Sequence, residues 1–161
     1  KMLKDNLTKD IGVLLRRETE ARILIPFVKN LITVFGKSKI LNILESTIKK
    51  EAKRQGKDLS KEYGNNVDAF LKTLSFWTKD NALEIDILNK SDSKLDFNVT
   101  RCRYAEMYNA MGINDLGAIL SCNRDASLIE GFNVKAKLER KKTIMNGDKC
   151  CTFRYDFNNK K

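Results

Sequence analysis

The period of the apolar residues changes near the middle of the chain, and this change constrains the fold more than any other feature. From about residue 9 to residue 79, apolar residues recur at steps of three and four, which is typical of buried helix faces. From Leu83 onwards, two segments alternate apolar and polar residues, which is typical of strands with one buried face. We therefore expect an α+β fold. N-terminal helices precede an antiparallel sheet of two hairpins, and the intervening helices pack on that sheet.

Three helices are predicted in the first half of the chain. The first spans about residues 9–35, with a kink or break just before Pro26, because proline removes a hydrogen-bond donor from a helix interior. The second spans about residues 38–54, and Gly56 is expected to follow it as the C-cap. The third spans about residues 60–79.

Two hairpins are predicted in the second half of the chain. The first joins "LEIDILN" to "LDFNVTR" through the turn "NKSDSK", and it places Leu95, Phe97 and Val99 on one face. The second joins "VKAKLERKKTI" to "CTFRYDF", and Asn146-Gly147 is a strong signal for the turn between them.

Helical spacing returns between the two hairpins. One helix is expected over residues 101–111, where Gly112 ends it. Another is expected to run without interruption from residue 115 towards residue 130, and the side chain of Asn114 can cap its N-terminus.

The length and composition fit one domain. The chain has 161 residues, of which 42% are hydrophobic, so residues 1–161 can form a single domain with a substantial core. No run of about 18 uncharged apolar residues is present, which excludes a transmembrane helix. The N-terminal "KMLKDNLTKD" lacks the apolar centre of a signal peptide, and we therefore expect a cytoplasmic protein without a membrane partner.

The chain is strongly basic, with 31 Lys and Arg against 21 Asp and Glu and a net charge of +10. A charge of this size attracts polyanions. However, the lysines are scattered without interleaved aromatic residues, and the densest run, "KAKLERKK", is typical of a solvated strand face. With no nucleic-acid motif beside this charge, a nucleic-acid partner is not expected.

The absence of histidine excludes Ser-His and Cys-His catalytic pairs and zinc sites with His ligands. The four cysteines show no C-x-x-C spacing, and the adjacent Cys150 and Cys151 would point to opposite faces of a strand. Free, buried thiols are therefore expected, with no metal and no other cofactor.

One polar cluster, "RCRYAE", lies at the predicted junction between a strand and a helix. The N-terminus of a helix binds anions, and Arg101 and Arg103 could add charge-assisted contacts to a carboxylate or phosphate. Glu106 follows Cys102 by four residues, so these side chains can share a helix face. The alternative is an Arg103–Glu106 ion pair within the helix that contributes little stability.

A second polar cluster, "LSCNRDASLIEGF", covers residues 120–132. Helical spacing places Cys122 and Asp125 near the apolar face and rotates Arg124 and Leu128 away from it. A carboxylate and burial would both raise the pKa of the Cys122 thiol. On residue type alone, Cys122 is more typical of a core thiol than of a reactive one, and Asp125 could equally pair with an arginine.

The residues themselves resemble a known family. "LDFNVTRCRYAEMYNAMG", "LGAILSCNRDASLIEGFN" and "TIMNGDKCCTFRYDF" are closely similar to the L-2-amino-thiazoline-4-carboxylic acid hydrolases, and "RRETEARILIPF" is similar to the opening helix of that family. The similarity covers residues 16–157 and leaves residues 1–15 and 158–161 as peripheral segments. "MNGDKCCTFRY" also resembles the end of the vinyl-reductase-type small-molecule-binding domains, in which helices precede an antiparallel sheet.

The resemblance implies hydrolytic opening of a cyclic isothiourea to a carbamoyl-cysteine, a step in bacterial formation of cysteine from aminothiazolines. On this hypothesis, Asp125 or Glu130 is the base, Glu106 the acid or an orienting group, and Cys122 the candidate nucleophile. The candidate residues that would bind the substrate carboxylate and ring are Arg101, Arg103, Tyr104, Asn123 and Arg124. Ligation of a metal by Cys122, Asp125 and Glu106 is the less favoured alternative.

A competing hypothesis is a non-catalytic, sensor-like module that binds a small molecule between helices and sheet, with a homodimer as an open alternative. Catalysis requires the arginines, Asp125 and Cys122 to meet at one solvent-reachable pocket. A binding module would instead have an apolar cavity, with those groups held in salt bridges outside it.

Overall fold

The structure is a computed structural model and describes residues 7–158. Residues 1–6, which begin the segment "KMLKDNLTKD", and residues 159–161 lie outside the described part. The helices are α1 (Leu7–Phe35), α2 (Lys37–Tyr63), α3 (Val67–Thr73), α4 (Ser75–Thr78), α5 (Arg103–Ala110), α6 (Asn114–Gly117) and α7 (Arg124–Phe132). The strands are β1 (Leu83–Lys90), β2 (Lys94–Cys102), β3 (Lys137–Glu139) and β4 (Cys151–Asp156).

The strands form one antiparallel sheet in the order β1-β2-β4-β3. The first hairpin is confirmed, and its alternating residues Leu95, Phe97 and Val99 are buried against α2, α3 and α7. A second apolar cluster lies between α1, the first half of α2 and α5–α6. The α+β fold expected from the change of period is therefore confirmed. Within residues 7–158, no helix is both long enough and apolar enough to span a bilayer.

The predicted position of the break in the first helix is wrong. Helix α1 continues through Pro26, and its interruption lies at Gly12, where φ is 74° and ψ is 172°. Pro26 and Arg22 are exposed, so the carbonyl of Arg22 that loses its helical partner at Pro26 is open to water. Pro26 therefore costs α1 one helical hydrogen bond on its exposed face, where water can replace the missing partner.

The predicted end of the second helix is also wrong, because α2 continues through Gly56 to Tyr63. Gly56 is buried, and a Cβ atom there would lie 2.0 Å from the carbonyl oxygen of Leu128 in α7. Gly131 of α7 is in the reciprocal position, because a Cβ atom there would lie 2.0 Å from the carbonyl oxygen of Lys53. The two glycines thus permit direct backbone contact between α2 and α7, and neither ends a helix.

The third predicted helix is shorter than expected. Helix α2 ends at Gly64, which has a φ of 95°, and α3 begins after Asn66. The Asn66 side chain caps α3 by accepting a hydrogen bond of 2.8 Å from the amide of Ala69. The short helix α4 and a 3₁₀ turn, Lys79–Asn81, then lead into β1.

The second hairpin contains only a short paired segment, because β3 covers Lys137–Glu139. After β3, regular strand pairing stops. The amides of Lys141 and Lys142 donate to the side chain of Thr152, and the amide of Thr152 donates to the carbonyl of Lys142 at 3.1 Å. The Asn-Gly signal closes a 3₁₀ turn, Ile144–Asn146, with Gly147 in the left-handed region. The long extended segment predicted before the turn was therefore wrong over most of its length.

The uninterrupted helix expected over residues 115–130 is divided into three parts. Helix α6 is followed by a π turn, Ala118–Cys122, and then by α7. The amide of Asn123 donates to the carbonyl of Ala118 at 3.0 Å, five residues back. Ile113 lies at the N-cap position, and the side chain of Asn114 donates to Asn109 instead of capping α6.

Candidate functional site

A cavity of about 60 Å³ lies between the sheet and the helices that cover it, and we call it the inner cavity. Helices α1, α5 and α7 and strands β2 and β4 all contribute to its walls, as does the π turn. The polar and sulfur-containing wall residues are Arg17, Cys102, Tyr104, Ser121, Cys122, Arg124, Asp125, Arg140, Met145 and Cys151. The combination of charged groups and thiols in an interior space distinguishes this cavity from an ordinary packing gap.

The π turn explains why both Cys122 and Arg124 line the inner cavity. A regular helix would rotate Arg124 away from Cys122, as the sequence spacing predicted. A π turn adds one residue to the helical repeat and changes the register of the residues that follow it. Arg124 is buried, and its guanidinium donates to the carbonyl of Leu120 at 2.8 Å and to Gln55 at 3.3 Å.

Asp125 forms an ion pair with Arg140, which follows β3. Arg140 also donates to the carbonyl of Cys122 at 2.8 Å, and its guanidinium lies 5.2 Å from the centre of the Phe153 ring. Burial raises the pKa of the Asp125 carboxyl above its usual value, and the positive charge of Arg140 opposes that rise. Asp125 is thus a carboxylate of increased basicity, held in one position by an arginine.

Arg17 and Arg124 meet at a shared carboxylate on the α1 side of the inner cavity. Arg17 is only 3% exposed, and its guanidinium is 2.6 Å from a Glu20 oxygen that is also 4.0 Å from Arg124. Burial, reinforced by repulsion from Arg17, lowers the pKa of Arg124 to about 10. Burial opposes ionisation of Glu20, yet Arg17 and Arg16 hold its pKa below the usual value. Arginine charge therefore exceeds carboxylate charge in this part of the protein.

The thiols of the inner cavity are protonated at neutral pH. Burial, together with the Asp125 carboxylate, raises the pKa of Cys122 to about 12. Burial likewise raises the pKa of Cys102 to about 11. Because only the thiolate is a strong nucleophile, this environment opposes the role of nucleophile that the sequence suggested for Cys122.

Tyr104 reaches the inner cavity from the first turn of α5. It is buried, and its hydroxyl donates to the carbonyl of Trp77 at 3.1 Å. Burial raises the pKa of this phenol, so it remains a neutral hydrogen-bonding group. Asn123 is half-buried between the π turn and α7, beside Cys122 in the chain.

The remaining residues proposed from the sequence lie outside the inner cavity. Arg101 and Glu106 form an exposed ion pair of 2.8 Å. Both line a second space, of about 420 Å³, which we call the outer groove. Arg103 is half-buried and donates to the carbonyl of Asp80 at 2.7 Å, and not to Glu106. Glu130 is exposed on α7, 3.4 Å from Lys53.

The outer groove and the inner cavity are neighbours. Cys102, at the end of β2, and Met145, in the 3₁₀ turn before β4, line both spaces. Arg101 and Glu106 therefore lie on one side of this shared wall, and Cys122 and Asp125 lie on the other. The metal ligation considered from the sequence would require Glu106 to cross it, and among residues 7–158 no three Cys, Asp or Glu side chains are arranged to hold a metal ion.

Two residues of the inner cavity were missed by the sequence analysis. Arg17 follows Val13 by four residues and precedes Ala21 by four, and all three are buried. An arginine at the centre of such an apolar stripe was a readable signal of a buried charge. Arg140 lies in the run "KAKLERKK", where nothing in the sequence separates it from its solvated neighbours.

The fold and the site together define an α+β domain with an arginine-lined cavity between its antiparallel sheet and its helices. A known family, described as L-2-amino-thiazoline-4-carboxylic acid hydrolase, matches residues 16–155. The chain belongs to this family, as its sequence motifs predicted. No curated protein matches the chain.

Solved structures share the fold at low sequence identity. A trafficking protein particle complex subunit 3 from Naegleria fowleri, covalently bound to palmitic acid, is 12% identical with a TM-score of 0.52, over 88% of this chain and 95% of that chain. The phenol-responsive sensory domain of the transcription activator PoxR, with phenol, is 10% identical with a TM-score of 0.53. That match covers 89% of this chain and 75% of the PoxR chain. These similarities describe the fold alone.

Proposed function

We propose that the inner cavity binds a small, carboxylate-bearing cyclic amidine and that the chain opens its ring by hydrolysis. 2-Amino-thiazoline-4-carboxylate, which gives a carbamoyl-cysteine, is the substrate that the family description suggests. The observation that carries the proposal is the arrangement of Arg17, Arg124 and Arg140 around one half-buried carboxylate, Asp125, at a single cavity. The sequence proposed Arg101, Arg103 and Arg124 for this role, and of these only Arg124 lines the inner cavity.

The excess of arginines supports binding of an anionic substrate. Arg17 and Arg124 already hold the Glu20 carboxylate between them, which is the geometry that a second carboxylate would need. Two guanidinium groups at the α1 side of the cavity would therefore bind the substrate carboxylate. The substrate ring would then point towards Asp125 and Cys122, across the cavity.

The chemistry follows from the basicity of Asp125. A water molecule attacks the amidine carbon of the ring while Asp125 accepts one of its protons. The C=N electron pair moves to the amidine nitrogen, which takes that proton from Asp125. The bond from the same carbon to the ring nitrogen or sulfur then breaks as the new hydroxyl group becomes a carbonyl, and the hydroxyl proton passes through Asp125 to the leaving atom. Water is the only co-reactant, and Cys122 stays protonated as a hydrogen-bonding wall residue.

A second candidate function is non-catalytic binding of a small molecule. The observation that favours it is an apolar cavity of about 50 Å³ whose walls include Phe97, Phe153 and Tyr155 and which shares Asp125 with the inner cavity. The PoxR sensory domain with phenol and the palmitate-bound trafficking subunit are structural neighbours with small molecules bound. In this case Asp125 and Arg140 would serve as a structural ion pair.

Turnover and binding measured separately distinguish the two functions. We expect wild-type protein to open 2-amino-thiazoline-4-carboxylate, with the product followed by NMR. Asp125→Asn should lower the rate about 10²- to 10⁴-fold, which is the usual contribution of a general base. Glu130→Gln is the matched control, because Glu130 is an exposed carboxylate on the same helix, and it should retain the wild-type rate. Calorimetric binding without turnover would favour the sensor, and neither binding nor turnover would contradict both functions.

A further inference from the structure

The helical hairpin at the N-terminal end of the fold carries an apolar surface that the inner cavity does not explain. We call residues 22–44 the α1–α2 tip, since they include the end of α1, the turn at Gly36 and the start of α2. On α1, Ile23 is 76% exposed, Phe27 59% and Val34 71%. Spacings of four and seven residues place these three side chains on one helix face. The opposite face of the same segment is buried in the core, so the exposed face is a second apolar surface of α1.

The charges of the α1–α2 tip have one sign. Residues 22–44 include no Asp or Glu, and their basic residues, all exposed, are Arg22, Lys29, Lys37 and Lys39. Arg22 is paired with Glu18 at 3.0 Å, whereas the three lysines form no ion pair within the described part of the chain. Two copies of this surface would repel each other, which argues against a second copy of the chain as its partner.

We propose that the α1–α2 tip docks on the surface of an anionic lipid bilayer. Exposed apolar side chains on a helix enter the boundary between headgroups and acyl chains, and flanking lysines bind anionic headgroups. The turn at Gly36 joins the two helices at the tip, with the exposed Val34 and Phe35 beside it. Docking of this kind needs no spanning helix, so it differs from the sequence expectation of no membrane partner.

Flotation of the full chain with lipid vesicles tests the proposal. Wild-type protein should float with vesicles of phosphatidylcholine containing about 30% phosphatidylserine at about 0.1 M salt, and not with phosphatidylcholine alone. Each lysine near an anionic surface contributes about a fivefold increase in partitioning. The triple variant Lys29→Gln, Lys37→Gln, Lys39→Gln should therefore bind about 10²-fold more weakly. Its matched control changes three exposed lysines elsewhere, Lys135→Gln, Lys137→Gln and Lys142→Gln, and should bind nearly as well as wild type.

A second variant separates the apolar contribution from the charge. Phe27→Ser with Val34→Ser keeps every lysine and should also lose vesicle binding, while its circular dichroism stays native because both residues are exposed. If this variant fails to fold, the lysine sets alone decide the outcome. Equal binding to neutral vesicles, no binding to either vesicle, or equal loss in both lysine sets would overturn the proposal. A wild-type dimer in sedimentation that Phe27→Ser with Val34→Ser converts to monomer, without vesicle binding, would assign the surface to a second copy.

Discussion

Cys122 shows how the surroundings of a residue can reverse the chemistry that its type suggests. Beside Asp125 and away from solvent, its thiol has a pKa of about 12. The neutral thiol therefore dominates below that pH. In this range, the thiolate fraction increases about tenfold each time the pH is raised by one unit. A reactive cysteine usually has a positive environment that lowers its pKa, and here Arg140 is already engaged by Asp125.

The pH dependence of Cys122 alkylation tests this description. In native protein, the rate of Cys122 modification by iodoacetamide, followed by peptide mass spectrometry, should rise throughout pH 7–10 without a plateau. Cys122→Ala should retain ring-opening activity. A plateau below pH 9, or loss of turnover in Cys122→Ala with binding intact, would restore this residue as the nucleophile.

Arg140 is expected to stabilise the fold because it neutralises Asp125. Arg140→Met should lower the free energy of unfolding by roughly 3 kcal/mol near neutral pH, since it leaves the half-buried Asp125 carboxylate unpaired. Burial already raises the folded-state pKa of Asp125, and loss of Arg140 raises it further. The folded protein then binds more protons than the unfolded chain as pH falls through this raised pKa. The deficit should therefore be largest at high pH and shrink towards the unfolded carboxyl pKa.

Urea unfolding of Arg140→Met at several pH values measures this effect. Arg22→Met is the control, because Arg22 forms an exposed ion pair with Glu18 and its loss should cost less than about 1 kcal/mol at any pH. A deficit in Arg140→Met that is independent of pH would mean that lost packing on Phe153, and not the Asp125 charge, explains the effect.

At the scale of elements, the contact between α2 and α7 is expected to be the most sensitive to added volume. A Cβ atom at Gly56 would lie 2.0 Å from a backbone oxygen of α7, and a backbone cannot move aside as a side chain can. Gly56→Ala should therefore destabilise the fold by about 3 kcal/mol or more. In an exposed helix position, the same change would stabilise by about 1 kcal/mol.

Thermal unfolding of Gly56→Ala tests whether the substitution destabilises the fold, as predicted, or stabilises it. Lys57→Ala, one residue further along the same helix and exposed, controls for helix propensity and should change stability little. An unchanged or increased Tm for Gly56→Ala would show that α2 and α7 are not in direct backbone contact.

The same elements show which parts of the fold are readable from sequence. Periodicity predicted the helices and the first hairpin because each has one buried face. Periodicity wrongly predicted a helix end at Gly56. A glycine that ends a helix and a glycine that permits close helix packing cannot be distinguished in the sequence. The π turn at residues 118–122 was not predictable, since its sequence has ordinary helical spacing, and its change of register brought Arg124 to the cavity. Arg17 had a signal in its apolar stripe, whereas Arg140 depends on tertiary contacts alone.

At the scale of the whole molecule, two neighbouring spaces compete for the role of substrate site. The inner cavity has the buried arginines and Asp125, and the outer groove has Arg101 and more volume. Cys102 and Met145 form the shared wall, and the flexible side chain of Met145 gives this wall a means of yielding to a ligand. We assign the reacting ring to the inner side, because Asp125 is the carboxylate whose basicity burial increases.

A crystal structure of Asp125→Asn with bound 2-amino-thiazoline-4-carboxylate tests this assignment most directly. The variant should bind the substrate without opening it, so the intact ring can be located. We predict the substrate carboxylate about 3 Å from the guanidinium groups of Arg17 or Arg124, with the ring beside residue 125. A substrate located in the outer groove on Arg101, with the inner cavity unchanged, would contradict the account.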